Sequence, residues 1–118
     1  MIQITVPIDP RLHAHAKGHW RIKAKATSEA RESAYLLSMG YPKITGVTVL
    51  EICFRVPDLR RRDILNLCQS LKPSIDGVVD AEKIIGDHWE VLRIGKIEVV
   101  VAKELKTVEA VLTFREFQ

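Results

Sequence analysis

Cysteine is nearly missing from this chain: of 118 residues only Cys53 and Cys68 carry a thiol. Two isolated cysteines, with no CxxC and no Cys/His zinc spacing, exclude a disulfide framework and a zinc-finger class. Cys53 lies in the apolar run "VTVLEICFRV", where a thiol packs as a small hydrophobe. Long hydrophobic runs are missing too, and none approaches the ~20 residues of a membrane-spanning helix. The opening "MIQITVPIDP" has neither the basic start nor the apolar stretch of a signal peptide. The expectation is a cytoplasmic protein with no membrane partner. P-loop, GxGxxG, GxSxG and HExxH patterns do not occur, which removes the commonest nucleotide-binding, esterase and zincin signatures. Repeats and linkers are absent as well, so residues 1–118 are expected to form a single domain.

What is present is charge, unevenly placed. The net charge of +3 hides two unlike halves. Residues 1–62 hold 11 Lys/Arg against 5 Asp/Glu, or +6, while residues 63–118 hold 7 against 10, or −3. A basic half joined to an acidic half suits a protein that grips phosphate on one surface and cations on another.

Along the chain, "IQITVPI" reads as an opening strand closed by Pro10. The segment "RLHAHAKGHWRIKAKATSE", from Arg11 to Glu29, has no sustained apolar period and reads as a loop or extended piece. Ser28, Glu32 and the apolar Ala30, Ala34 and Leu37 predict a helix from Ser28 to about Met39, stopped by Gly40 and Pro42. "TGVTVLEICFRVP" is a strand. Residues 63–80 place Ile64, Leu67, Leu71, Ile75 and Val78 on one helical face. Pro73 cannot sit inside such a helix, so the favoured reading starts it at Ser70, with Pro73 in the first turn and Asp63 and Asn66 on the approach. "WEVLRIGKIEVVVAKE" and "KTVEAVLTFREF" read as a closing hairpin turning near Leu105. The expected class is α+β: one domain, a mixed sheet with two helices packed on it, in the order β-α-β-α-β-β.

The chemistry centres on "RRRDILN", where Arg60, Arg61 and Arg62 run directly into Asp63. Guanidinium forks suit phosphate oxygens, and Mg²⁺ takes one or two carboxylates and fills its shell with water and phosphate. A carboxylate beside a phosphate grip is a sensible place for metal-assisted hydrolysis. The plain alternative is a basic turn capped by an aspartate. Lys72/Asp76 and Asp76/Asp80 are i,i+4 neighbours and Asp80/Lys83 is i,i+3, a spacing equally suited to a charge ladder on a solvated helix face. Asp87 falls in the Gly-punctuated "IIGDHWEV", where turns favour aspartate. His13, His15 and His19 lack a further ligand at a metal-site spacing. With Lys17, Arg21, Lys23 and Lys25 they fit a nucleic-acid contact strip better, and Trp20 could stack on a base.

Taken together, "RRRDILNL" and "LKPSIDGVVDAEKIIGDHWEV" resemble the RusA-like crossover-junction endodeoxyribonucleases. These are small, homodimeric, Mg²⁺-dependent enzymes, often of phage or prophage origin, that resolve Holliday junctions. Their pattern is a basic lead-in, D-x-D-N-L, a K-P-x-x-D-x-L helix and an acidic pair before a strand. Arg61, Arg62 and Asp63 match the lead-in and first aspartate; Asn66 and Leu67 match N-L; Lys72, Pro73 and Asp76 match K-P-x-x-D; Asp87 matches the later acid of the pair. The specific motif covers about residues 58–91. The resemblance implies Asp63, Asp87 and Lys72 as catalytic groups, and Asp63 and Asp87, supplemented by Asp76 or Asn66, as ligands for Mg²⁺ or Mn²⁺. Arg60–Arg62 and the strip with Lys17, Arg21, Lys23 and Lys25 would grip branched DNA, and symmetric nicking of two strands implies a homodimer. Three features depart from the pattern: Leu65 stands for the second aspartate, three extra residues separate Asn66 from Lys72, and Gly86 stands for the first member of the acidic pair. The departure at Leu65 leaves a second expectation, a member that binds junctions without cutting them. A third is a small interaction domain unrelated to nucleic acid.

Overall fold

A computed structural model describes residues 1–12 and 19–118. His13, His15 and Lys17, expected in the nucleic-acid strip, lie outside the described residues. The elements are β1 (Ile2–Pro7), a 3-10 turn (Pro10–Leu12), α1 (Trp20–Ser38), β2 (Thr48–Val56), α2 (Ile64–Gln69), α3 (Lys72–Asp80), β3 (Leu92–Val101) and β4 (Glu109–Glu116). One mixed sheet carries them in the order β1-β4-β2-β3, with helices on one face. This is the α+β class the sequence predicts.

The sheet has one packed and one wet face because its strands alternate. Ile2, Ile4 and Val6 of β1 are buried while the residues between them are exposed. Leu50, Ile52 and Phe54 of β2 and Ala110, Leu112 and Phe114 of β4 do the same in the middle of the sheet. Against them pack Ala34 of α1, Leu67 of α2, Leu71, and Val78 of α3. The helix layer closes through a tight α1–α3 crossing. A methyl group on Gly77 would come 2.2 Å from the Arg31 carbonyl oxygen, so only glycine permits this approach. Asp80 then bonds the Arg31 guanidinium across the same contact, one link at 2.8 Å.

Three expectations are corrected. First, α1 begins at Trp20, eight residues before Ser28. Its cap is His19, whose Nδ1 accepts the Arg21 N–H at 3.1 Å. Residues 20–25 are all exposed, so this half of the helix has no apolar period to detect. Second, residues 63–80 form two helices with a break at Ser70 and Leu71. Pro73 lies in the first turn of α3 as expected, but Ser70 closes α2: its hydroxyl donates to the Asn66 carbonyl at 3.0 Å. Third, β3 and β4 are not a hairpin. β4 inserts between β1 and β2, antiparallel to both, and β3 lies parallel to β2 at the sheet edge. Among the described residues no helix is long and apolar enough to cross a membrane.

Candidate nucleic-acid and cation site

The chain leaves β2 at Pro57 and enters a loop that its own charges hold. Asp58 Oδ1 accepts the Arg60 N–H at 3.0 Å. The Arg62 guanidinium folds back to the Asp58 and Arg60 carbonyls at 3.3 and 3.1 Å and to the Asp58 carboxylate at 3.0 Å. The Arg60 amide, with Arg62 second, holds the Asp58 carboxyl below the usual carboxylate range. Arg62, expected with Arg60 and Arg61 to grip phosphate, is only 12 % exposed here and serves as the staple of this loop. Arg60 and Arg61 are exposed and make no ion pair among the described residues.

This loop forms one wall of a cleft of about 540 Å³. The opposite wall comes from Ile8 and Pro10 after β1 and from Lys106 to Val108 before β4, and α2 contributes Asp63, Asn66 and Leu67. The sheet order explains the assembly: β1, β4 and β2 are neighbours, so the end of one strand and the start of the next meet at the same rim. Lys106 was not among the sequence candidates. It is 43 residues from Asp63 in the chain, and only the insertion of β4 beside β2 brings it to the cleft.

Asp63 caps α2: its Oδ1 accepts the Leu65 and Asn66 N–H groups at 2.9 and 3.3 Å. The cap uses one carboxylate oxygen and fixes the side chain at the cleft. Leu65, where the resembled pattern has an aspartate, is 70 % exposed.

A second cluster lies at the start of α3. Lys72 Nζ donates to Asp76 Oδ1 at 2.5 Å and also to Asp87 Oδ2. Lys72 and Asp76 share a helix face one turn apart, and Asp87 arrives from the loop before β3. Asp76, then Asp87, raises the Lys72 pKa above its ordinary value, and Lys72 chiefly lowers that of Asp87. Two carboxylates thus converge on one cationic point, a donor set that fits a hard divalent ion. Asp63 makes no contact with this cluster, and among the described residues no group of three or more His, Cys, Asp or Glu stands close enough to hold a metal. Asp80 belongs to the Arg31 bridge, not to the charge ladder.

Of the basic strip, Arg21, Lys23 and Lys25 lie exposed on the first turns of α1. Arg21 stacks over the Trp20 ring at 5.4 Å, and Trp20 itself is 69 % exposed. A smaller cavity of about 220 Å³, lined by Val6, Ala26, Ala30 and Ser74, has Asp9 and Glu29 at its wall, and both carboxylates are bound to Arg11. No protein-family model matches the chain, and no curated protein matches it significantly.

Proposed function

We propose that the protein is a RusA-like, metal-dependent endonuclease selective for branched DNA. The observation that supports this reading most is the cleft, where exposed Arg60 and Arg61 meet Asp63, Asn66 and Lys106 around an apolar floor. Arg60, Arg61 and Lys106 hold phosphate oxygens there, and exposed Arg21, Lys23 and Lys25 extend the contact along α1. Asp76 and Asp87 would hold Mg²⁺ or Mn²⁺ once the Lys72 ammonium swings away, and Asp63 offers its second carboxylate oxygen at the cleft. The ion would supply Lewis acidity and an activated water. Lys72, released from the carboxylates, carries a positive charge to the departing oxygen. Cutting two strands of a junction calls for two copies of the chain, and a DNA substrate goes with a cytoplasmic location.

The test is a labelled four-way DNA junction incubated with Mg²⁺ or Mn²⁺ and either the wild type or Asp63→Asn. Asparagine keeps the α2 cap and removes only the charge, so a folding defect does not confuse the result. Paired, metal-dependent nicks that disappear in Asp63→Asn are expected. Equal cleavage by both proteins would remove Asp63 from the reaction.

A second reading, a junction-binding protein that does not cut, is favoured by Leu65. An exposed leucine beside the cap leaves the cleft with Asp63 and with Asp58, whose carboxylate is already bound to Arg62. Tight, salt-sensitive junction binding without nicks would select it. An absence of preference for DNA of any shape would favour the interaction-domain alternative.

A further inference from the structure

The cavity of about 220 Å³ is chemically unlike the arginine cleft. Val6, Pro7, Ala26 and Ala30 give it apolar walls, and its charged lining is acidic. Both Asp9 oxygens are taken by Arg11, at 2.6 to 3.0 Å. Glu29 Oε2 meets the same guanidinium at only 3.3 Å, and Glu29 Oε1 has no partner among the described residues. Two carboxylates against one guanidinium leave this wall with a net negative charge. Ser74, in the first turn of α3, adds a second, independent signal. It is 3 % exposed, yet its hydroxyl makes no hydrogen bond among the described residues. Its oxygen is not sealed off, so it opens on the cavity that Ser74 lines. Folded proteins rarely leave such a group without a partner.

We infer that this cavity holds one unpaired guanine base. Acidic walls turn phosphate away and favour a hydrogen-bond donor, while the apolar walls suit the faces of a flat ring. The volume lies below the ~300 Å³ at which sites for drug-sized ligands begin, so it suits a base rather than a whole nucleotide. Guanine is the base that presents two donors side by side, N1–H and the 2-amino group, to the paired oxygens of one carboxylate. Glu29 is the carboxylate with capacity left. Adenine and cytosine set an acceptor beside their amino group, and thymine flanks its N–H with two carbonyls, so each meets Glu29 with repulsion. The Ser74 hydroxyl, which both donates and accepts, serves the guanine O6 or N7. The source of the base follows from position. Ile8 and Pro10 face the arginine cleft, whereas Pro7 and Asp9 face the cavity, so one chain segment of ~5 Å thickness parts the two hollows. Nucleotides succeed one another every ~3.4 Å, so a strand with its phosphates on Arg60 and Arg61 passes within roughly two nucleotides of the cavity. The inference rests on the DNA-binding part of the proposed function and not on cleavage.

Thymine oligonucleotides with a single central G, A, C or T, read by fluorescence anisotropy without divalent ions, test the base preference. The G strand should bind about tenfold tighter than the other three. Glu29→Gln exchanges one acceptor for a donor, and Ala30→Leu fills the space from a half-buried helix position. Each should bring the four strands to equal affinity with an unchanged circular dichroism spectrum. Arg60→Ala should weaken all four strands alike and keep the guanine preference. Free guanosine, a second source of the same base, should shift the Ala26 and Ala30 methyl NMR signals through its ring current. Lacking the phosphate contacts, it should do so only at millimolar concentration. Saturation at micromolar guanosine with equal affinity for the four strands would overturn insertion from DNA. Unmoved methyl signals, or a guanine preference that survives both cavity variants, would overturn the cavity as a base site. Guanine preference without any cutting of DNA would overturn the nuclease reading and leave this site standing, and cutting without base preference would do the reverse.

Discussion

Replacing Lys72 by Met is the most informative single change, because Lys72 is the only cation between Asp76 and Asp87 among the described residues. The three side chains are 61, 23 and 39 % exposed, so each link has the worth of a half-solvated ion pair. Such pairs contribute ~0.2–1 kcal/mol apiece, which puts the loss of both at about 1 kcal/mol at neutral pH. The pH dependence follows from the direction of each shift. Asp87 is held below its ordinary value, so its share is present above the unfolded pKa of ~3.9 and is lost as pH falls through the folded value. Lys72 is held above its ordinary value, so its share is present below ~10.4 and is lost as pH rises through the folded value. The gap between wild type and Lys72→Met should therefore form a plateau between about pH 5 and 10 and close toward both ends.

Urea unfolding at several pH values measures the gap, and carboxyl NMR measures Asp87, whose pKa should rise in Lys72→Met. The same spectra report cations. If Asp76 and Asp87 are a divalent site that Lys72 fills in competition, Mn²⁺ or Mg²⁺ should perturb their signals at lower concentration in the variant than in the wild type. A stability gap that persists unchanged at pH 2 would refute the ion-pair account. Indifference of divalent binding to Lys72 would refute the competition.

Three other changes probe the framework around the site. Gly77→Ala gains ~1 kcal/mol of helix propensity but drives a methyl into the Arg31 backbone, an overpacking that costs ~1–3 kcal/mol or more. A net loss of about 1–2 kcal/mol in urea unfolding is expected, and a more stable variant would show that α3 can move off α1 freely. Asp63→Ala should cost about 1 kcal/mol through the lost α2 cap while Asp63→Asn costs almost nothing, and equal losses would mean that the carboxylate charge, not the cap, stabilises α2. Leu65→Asp should leave stability within about 0.5 kcal/mol, because the side chain is exposed, and should raise metal-dependent nicking of a four-way junction. No gain in nicking would remove Leu65 as the cause of a weak or missing activity.

The features legible in the sequence were those fixed by local spacing. The strand runs of β1 and β2, the mixed class, the placement of Pro73 and the Lys72–Asp76 contact all follow from periods of two or four residues and from the missing N–H of proline. What escaped depended on unusual caps or on long-range order. His19 is not among the residues expected to cap a helix, and the exposed start of α1 offered no periodicity. Adjacent strands most often pair, yet the buried alternation of Ala110, Leu112 and Phe114 belongs to a central strand, whereas β3 is exposed on both faces. That alternation was visible, but its consequence for strand order was not. Arg62 could not be separated from Arg60 and Arg61 by type. Only the path of the loop turns it inward onto Asp58.

The placement of the charged groups follows from the parallel pairing of β2 with β3. A parallel neighbour requires the chain to return to the starting end of the strand it has just left, and α2 and α3 make that return. The arginine cleft therefore stands where the excursion begins, beyond Val56. Asp87 stands where it ends, just before Leu92, which pairs with Thr48 at the opposite end of β2. Within one chain the arginine-lined cleft and the Lys72–Asp76–Asp87 cluster are thus two structures joined by α2 and the first turn of α3. The missing contact between Asp63 and Asp87 is a property of this topology rather than of any one side chain. Changes in the loop 58–62 should act first on DNA binding and changes at Lys72 first on cleavage, because a strand held by Arg60 and Arg61 would have to run on to the carboxylates to be cut.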